Sequence, residues 1–150
     1  RKDQYGDDSL GLLDAQNQRN LDKYMRNIHA MEELSKIEDD LMTLEKHRKY
    51  VEALGTDSVE AEIIGLRIGD CVIITAPVEV MTEVSLNIKR NSPAEHTMVA
   101  AFTNGYYHYG SPAKDYGKGH YEVTECMLGP GWQQVFESSA ARILKALKEA

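Results

Sequence analysis

No proline occurs before Pro77, and no glycine falls between Gly11 and Gly55. A stretch without either helix-interrupting residue satisfies its backbone most simply as one continuous helix. Apolar residues recur through it at Leu21, Tyr24, Ile28, Met31, Leu34, Ile37, Leu41, Leu44, Val51 and Leu54. Most of these steps are three or four residues, the spacing of a helix face. The pattern predicts one long helix, or two with a break, from about Asp14 to Leu54, with Gly55 as its C-terminal cap. Such a face must be covered. The first expectation is packing against the rest of its own protein. A coiled-coil partner helix or self-association is the second alternative only, since the three-residue steps from Met31 to Ile37 break a strict heptad.

After Gly55 the period changes. Val59–Ile68 and Cys71–Thr75 are rich in β-branched residues and meet at Gly69-Asp70, which predicts an antiparallel hairpin. Pro77 ends the second strand. Glu79 to Arg90 reads as a helix with Val80, Val84 and Ile88 on one face, closed by Ser92-Pro93. Thr97–Thr103 reads as a further strand, which a helical crossover makes parallel to Cys71–Thr75. Trp132 to Leu147 is helical again, with Trp132, Phe136, Ala140, Ile143 and Leu147 on one face. The fold class is therefore α/β with a mixed sheet: long N-terminal helix, β-hairpin, βαβ crossover, C-terminal helix. A helical segment of residues 1–58 precedes an α/β module of residues 59–150.

Composition narrows the function classes. A net charge of -7 without any basic stripe argues against nucleic acid as a partner. The longest apolar run, Cys71 to Val78, is far too short to span a bilayer. Cys71 and Cys126 form no CxxC. Cys71 sits in a strand pattern and reads as a buried structural thiol, with a disulfide as the open alternative. No secretory signal pattern is legible, and the chain begins at Arg1 without Met, so the compartment stays open.

The crossover fixes where chemistry belongs. Ligands of open α/β sheets sit beyond the carboxyl ends of the strands. Glu79 follows one such end, and Asn104–Tyr109 follows the end of the neighbouring parallel strand. A carboxylate, several phenols and His108 should then share one crevice, suited to a hard metal ion or to acid–base chemistry. Glu79 has a plainer alternative, as a first-turn helix residue facing the helix dipole.

The stretch Asn104-Gly-Tyr-Tyr-His-Tyr109, followed by Tyr116, Tyr121-Glu122 and Gly129-Pro130, resembles the neutral/alkaline non-lysosomal ceramidase family. Upstream, Leu66-Arg-Ile-Gly-Asp70 and Ala76-Pro-Val-Glu79 are similar to its strand, turn, strand and Pro-x-Glu elements. The resemblance covers roughly Val59 to Ala150 and implies the C-terminal part of a zinc amidohydrolase catalytic domain. The family hydrolyses the N-acyl amide of ceramide with a zinc-activated water. By motif, the metal ligands are Glu79 and Tyr109, and Tyr121 is the catalytic hydrogen-bond donor to the oxyanion. Two histidine ligands come from the N-terminal part of that domain, so zinc would be shared with ligands outside this chain. The partners implied are that N-terminal half and a ceramide-like lipid. The isolated chain should be inactive, and a secreted or periplasmic setting follows from the resemblance alone.

His108 reads as a loop residue behind the ligands, and Tyr106, Tyr107 and Tyr116 as packing or pocket walls. His29 and His47 read as solvated; His96 and His120 have no evident partner. Ser111-Pro112 departs from the family's Thr-Thr-like pair, which puts substrate contacts there in doubt. Two rival readings stand beside the enzyme: a non-catalytic interaction module using the long helix, and a degenerate homologue that keeps the fold without metal.

Overall fold

The computed structural model describes the backbone of residues 9–149 and the side chains of residues 14–149. The first eight residues of the 1–58 helical segment lie outside the described residues. The chain forms two compact units, Arg1–Met42 and Thr43–Ala150.

Helix α1 runs from Ser9 to Leu54. In the first unit every side chain from Asp14 to Met42 is exposed, including the apolar Leu21, Ile28, Leu34 and Leu41. The apolar positions do not form one stripe, for a geometric reason. Each three-residue step falls about 60° short of a full turn, so the apolar positions spiral round the helix instead of forming a stripe. The helix ends as read: Gly55 adopts φ +66°, and its N–H donates to the Val51 carbonyl at 3.1 Å.

The second unit is built on a three-stranded sheet in the order β1-β2-β4. Strand β1 is Gly65–Ile68, β2 is Cys71–Thr75 and β4 is His96–Ala100. Strands β1 and β2 are antiparallel across the Gly69-Asp70 turn, where Gly69 takes φ +63°. Strands β2 and β4 are parallel, joined through helix α2, Thr82–Arg90. A short pair, β3 (Glu79–Val80) and β5 (Tyr109–Gly110), forms a second parallel sheet. A 3-10 turn at Ala113–Asp115, the short α3 (Tyr121–Thr124) and α4 (Trp132–Glu149) complete the unit.

The core follows the strand and helix periods. Val72, Ile74, Ala76 and Val78 are buried along one line of chain, with Val84 and Ile88 from α2 and Phe136, Ala140 and Leu144 from α4. Burying an aliphatic or aromatic side chain of this size contributes about 1.5–3 kcal/mol. The other sheet face is open. Leu66, Ile73 and Met98 are register partners across it, and Leu66 and Met98 are exposed.

Three boundaries move from the sequence reading. The first strand is confined to Gly65–Ile68, because the ladder beyond Thr75 runs into Pro77, which has no N–H to give. The Thr75 hydroxyl takes the Ile64 N–H instead, at 2.8 Å. The third strand stops at Ala100, since Phe102 turns to φ +56°. Glu79 is not a first-turn helix residue: its N–H donates to the His108 carbonyl at 2.9 Å and draws it into β3. Both cysteines are free thiols, and Cys126 rather than Cys71 is the buried one, since Cys71 opens β2 on the strand's less covered side.

Candidate active site

Three links hold the site together. The Ala76–Glu79 segment leaves β2, and the Ala101–Tyr109 loop leaves the adjacent β4. The loop is fastened to that segment by backbone hydrogen bonds from Thr103 to Ala76, Tyr107 to Pro77 and Phe102 to Val78. Phe102, Asn104 and His108, none of them glycine, all adopt positive φ. Backbone strain of this kind persists where the surroundings over-determine the chain, and it clusters at functional sites.

The outcome is that Glu79 and Tyr109 are register partners of β3 and β5. Tyr109 meets Tyr121 edge to face, with ring centroids 5.8 Å apart. The three residues singled out from the sequence, distant in the chain, are thus neighbours. Gly110 explains the close seating of β5: a Cβ there would lie 2.5 Å from the Trp132 ring and 2.9 Å from Val78. The Trp132 indole N–H donates to the Ser111 carbonyl at 2.7 Å, and the buried Ser111 hydroxyl donates to the Glu122 carbonyl. Ser111 is therefore occupied within the fold.

Sequence reasoning missed Tyr106. Its hydroxyl donates to Glu79 Oε1 at 2.8 Å, although the residue read as packing. Its ring stacks with His108, at 5.1 Å, and with Phe102, at 5.7 Å. The signal was present in the three-residue step to Tyr109, but only the loop conformation decides which way a phenol points. The hydrogen bond to Glu79 raises the Tyr106 pKa, with partial loss of hydration adding to it. Tyr109 is raised mainly by lost hydration, then by the charge of Glu79. Ionisation of both phenols is thus disfavoured beside the carboxylate.

Two histidines differ from the reading. His47 is half-buried and meets His108 edge on at 6.0 Å; burial and the neighbouring imidazole lower its pKa. His108 Nδ1 lies 3.8 Å from Glu125 Oε2. His96 does have a partner, Asp70, at 3.7 Å. Among the described residues no group of three or more His, Cys, Asp or Glu side chains is arranged to hold a metal ion. Glu79 and Tyr109 supply two hard oxygen donors, which suit a cation but make only part of a catalytic zinc's ligand set. Elsewhere in the second unit an apolar cavity of about 450 Å³ opens between Tyr50, Leu54, Ile63, Tyr107 and Trp132, and neither Glu79, Tyr109 nor Tyr121 lines it.

Two solved structures share this architecture. A ceramidase complexed with C2 superposes with a TM-score of 0.52 at 22% identity, over 58% of this chain and 15% of that one. The neutral ceramidase from Pseudomonas aeruginosa gives 0.50 at 23% identity, with the same two coverages. The shared fold is that of a ceramidase fragment. Neither a protein-family model nor a curated protein matches the chain. The chain thus spans about 15% of the length of each structure it resembles.

Proposed function

We propose that the second unit is the C-terminal portion of a zinc-dependent amidohydrolase catalytic domain that cleaves the N-acyl amide of a ceramide-like lipid. The observation that carries this reading is the pairing of Glu79 with Tyr109 across β3 and β5, with Tyr121 against the Tyr109 ring. In this reading Glu79 and Tyr109 are two of the zinc ligands, and two histidines from the preceding part of a longer polypeptide complete the set. Zinc, when bound, supplies the Lewis acidity that makes a water nucleophilic near neutral pH.

The chain's own residues have distinct tasks. The Glu79 carboxylate offers an oxygen donor to the cation. Lost hydration and then the charge of Glu79 disfavour the Tyr109 phenolate, and a bound cation would oppose both effects. Tyr121 is exposed, so its hydroxyl is free to donate to a carbonyl oxygen that gains charge as the amide is attacked.

Zinc titration of this chain tests the reading, followed by the tyrosinate difference absorption. Weak saturable binding with a tyrosinate signal is expected, and Glu79→Ala should abolish the first and Tyr109→Phe the second. Binding unchanged in both variants would remove Glu79 and Tyr109 from the metal site. The isolated chain should hydrolyse no N-acyl sphingosine above background; full activity would place the site on other residues.

A second reading is favoured by the exposed apolar side chains of Asp14–Met42, which fit a helix that binds a partner or a second copy. Sedimentation of the chain, with Leu34→Lys and Leu41→Lys as controls, separates a self-associating helix from a solvated one.

A further inference from the structure

We propose that Tyr106 is a positioning residue that fixes the Glu79 carboxylate so that one oxygen is committed to the protein and the other faces the site. The inference rests on the reading of Glu79 as a metal ligand and adds the residue that orients it. Three observations carry it. The Tyr106 hydroxyl donates to Glu79 Oε1 at 2.8 Å, and Tyr109, the register partner of Glu79, reaches the same carboxylate. The Tyr106 ring stacks with both His108 and Phe102. The loop that aims it holds three non-glycine residues at positive φ, so the ring's position is imposed by backbone conformation rather than by burial.

The physical consequence concerns orientation. A free glutamate rotates about its last torsion almost without preference between its two oxygens. One short hydrogen bond from a stacked ring removes that freedom and leaves Oε2 as the donor. Hydrogen-bond partners of metal ligands act in this way, and their loss costs roughly 10- to 100-fold in metal affinity. Tyr106 is itself half-exposed, which a side chain placed for packing alone would not need.

The test compares Tyr106→Phe with Glu79→Ala and Tyr109→Phe in this chain. Tyr106→Phe keeps the ring stack and deletes only the hydroxyl. Its zinc midpoint should rise by about tenfold, while the amplitude of the tyrosinate difference absorption stays that of wild type. A lost amplitude would mean that Tyr106 is the ionised ligand, and an unchanged midpoint would mean that it orients nothing; either result overturns the proposal. The reading beneath it fails differently, with Glu79→Ala leaving the zinc midpoint where it was. A metal-free measurement keeps the proposal exposed even so: the carboxyl carbon resonance of Glu79 should move in Tyr106→Phe and not in Tyr107→Phe. A resonance that stays in place shows that the hydrogen bond is absent in solution, and the proposal falls.

Discussion

Tyr116 differs from Tyr106 and Tyr109 in what its hydroxyl meets: a backbone carbonyl in the one case, the Glu79 carboxylate in the other. Tyr116 is half-buried, and its hydroxyl donates to the Leu128 carbonyl at 2.6 Å, beside the Cys126 thiol. Burial is the chief cause of its raised pKa. Tyr106 and Tyr109 lie beside Glu79, whose hydrogen bond or charge contributes to both shifts. The contrast teaches how to tell structure from chemistry in a tyrosine-rich loop. A phenol answered by a backbone carbonyl is finished, whereas phenols gathered round a carboxylate leave a set of oxygens that a cation would reorganise.

The sharpest test of the contrast is catalytic. In the longer polypeptide proposed above, Tyr121→Phe should lower kcat on the order of 100- to 1000-fold with KM nearly unchanged. Its thermal midpoint should stay where it is. A fall in stability instead of kcat would move Tyr121 into the structural group.

Gly110→Ala asks whether the two groups depend on one another. The added methyl meets the Trp132 ring and Val78, so a loss of about 1–3 kcal/mol in denaturant unfolding is expected. Because Gly110 follows Tyr109, zinc affinity should drop with it. Unfolding unchanged from wild type would show that the β3–β5 pair is looser than its contacts imply.

Tyr116→Phe should act on stability alone. It removes the shorter of two hydrogen bonds to the Leu128 carbonyl, which keeps the Cys126 thiol, at a cost of about 1 kcal/mol and without altering zinc binding. The sign of its pH effect follows from the raised folded value. The stabilisation is whole below the unfolded pKa of about 10 and is lost as pH climbs towards the folded one. Wild-type unfolding free energy should therefore decline above about pH 10 more steeply than that of Tyr116→Phe. Equal slopes would deny Tyr116 its buried environment.

The smallest effect belongs to Tyr107→Phe. This hydroxyl donates to the Glu60 carbonyl at 3.1 Å on an exposed segment, so the change should cost less than about 1 kcal/mol and leave turnover alone. A large catalytic loss there would erase the division between the two groups.

Element types were legible because they depend on local pattern. The hairpin turn needed Gly69 at positive φ, and the Cys71–Thr75 strand was bounded by that turn and by Pro77. Ends set by distant partners were not legible. Glu79 was readable as a helix residue until its N–H found the His108 carbonyl. The candidate ligands were named from motif, yet Tyr106 escaped, because its role depends on the turn of the loop and not on its spacing.

What the sequence determined by itself is the long helix with its glycine cap, the antiparallel hairpin, the parallel crossover, and the placing of Glu79 and Asn104–Tyr109 beyond neighbouring strand ends. Periodicity, glycine and proline decide such features within a few residues of chain. Only the tertiary structure decided that Glu79 and Tyr109 share a register, that Tyr106 bonds the carboxylate, and that the apolar positions of Asp14–Met42 stay exposed. Each of these depends on which groups meet across long separations, and hydrogen-bond donors go to whichever acceptor the packed chain presents.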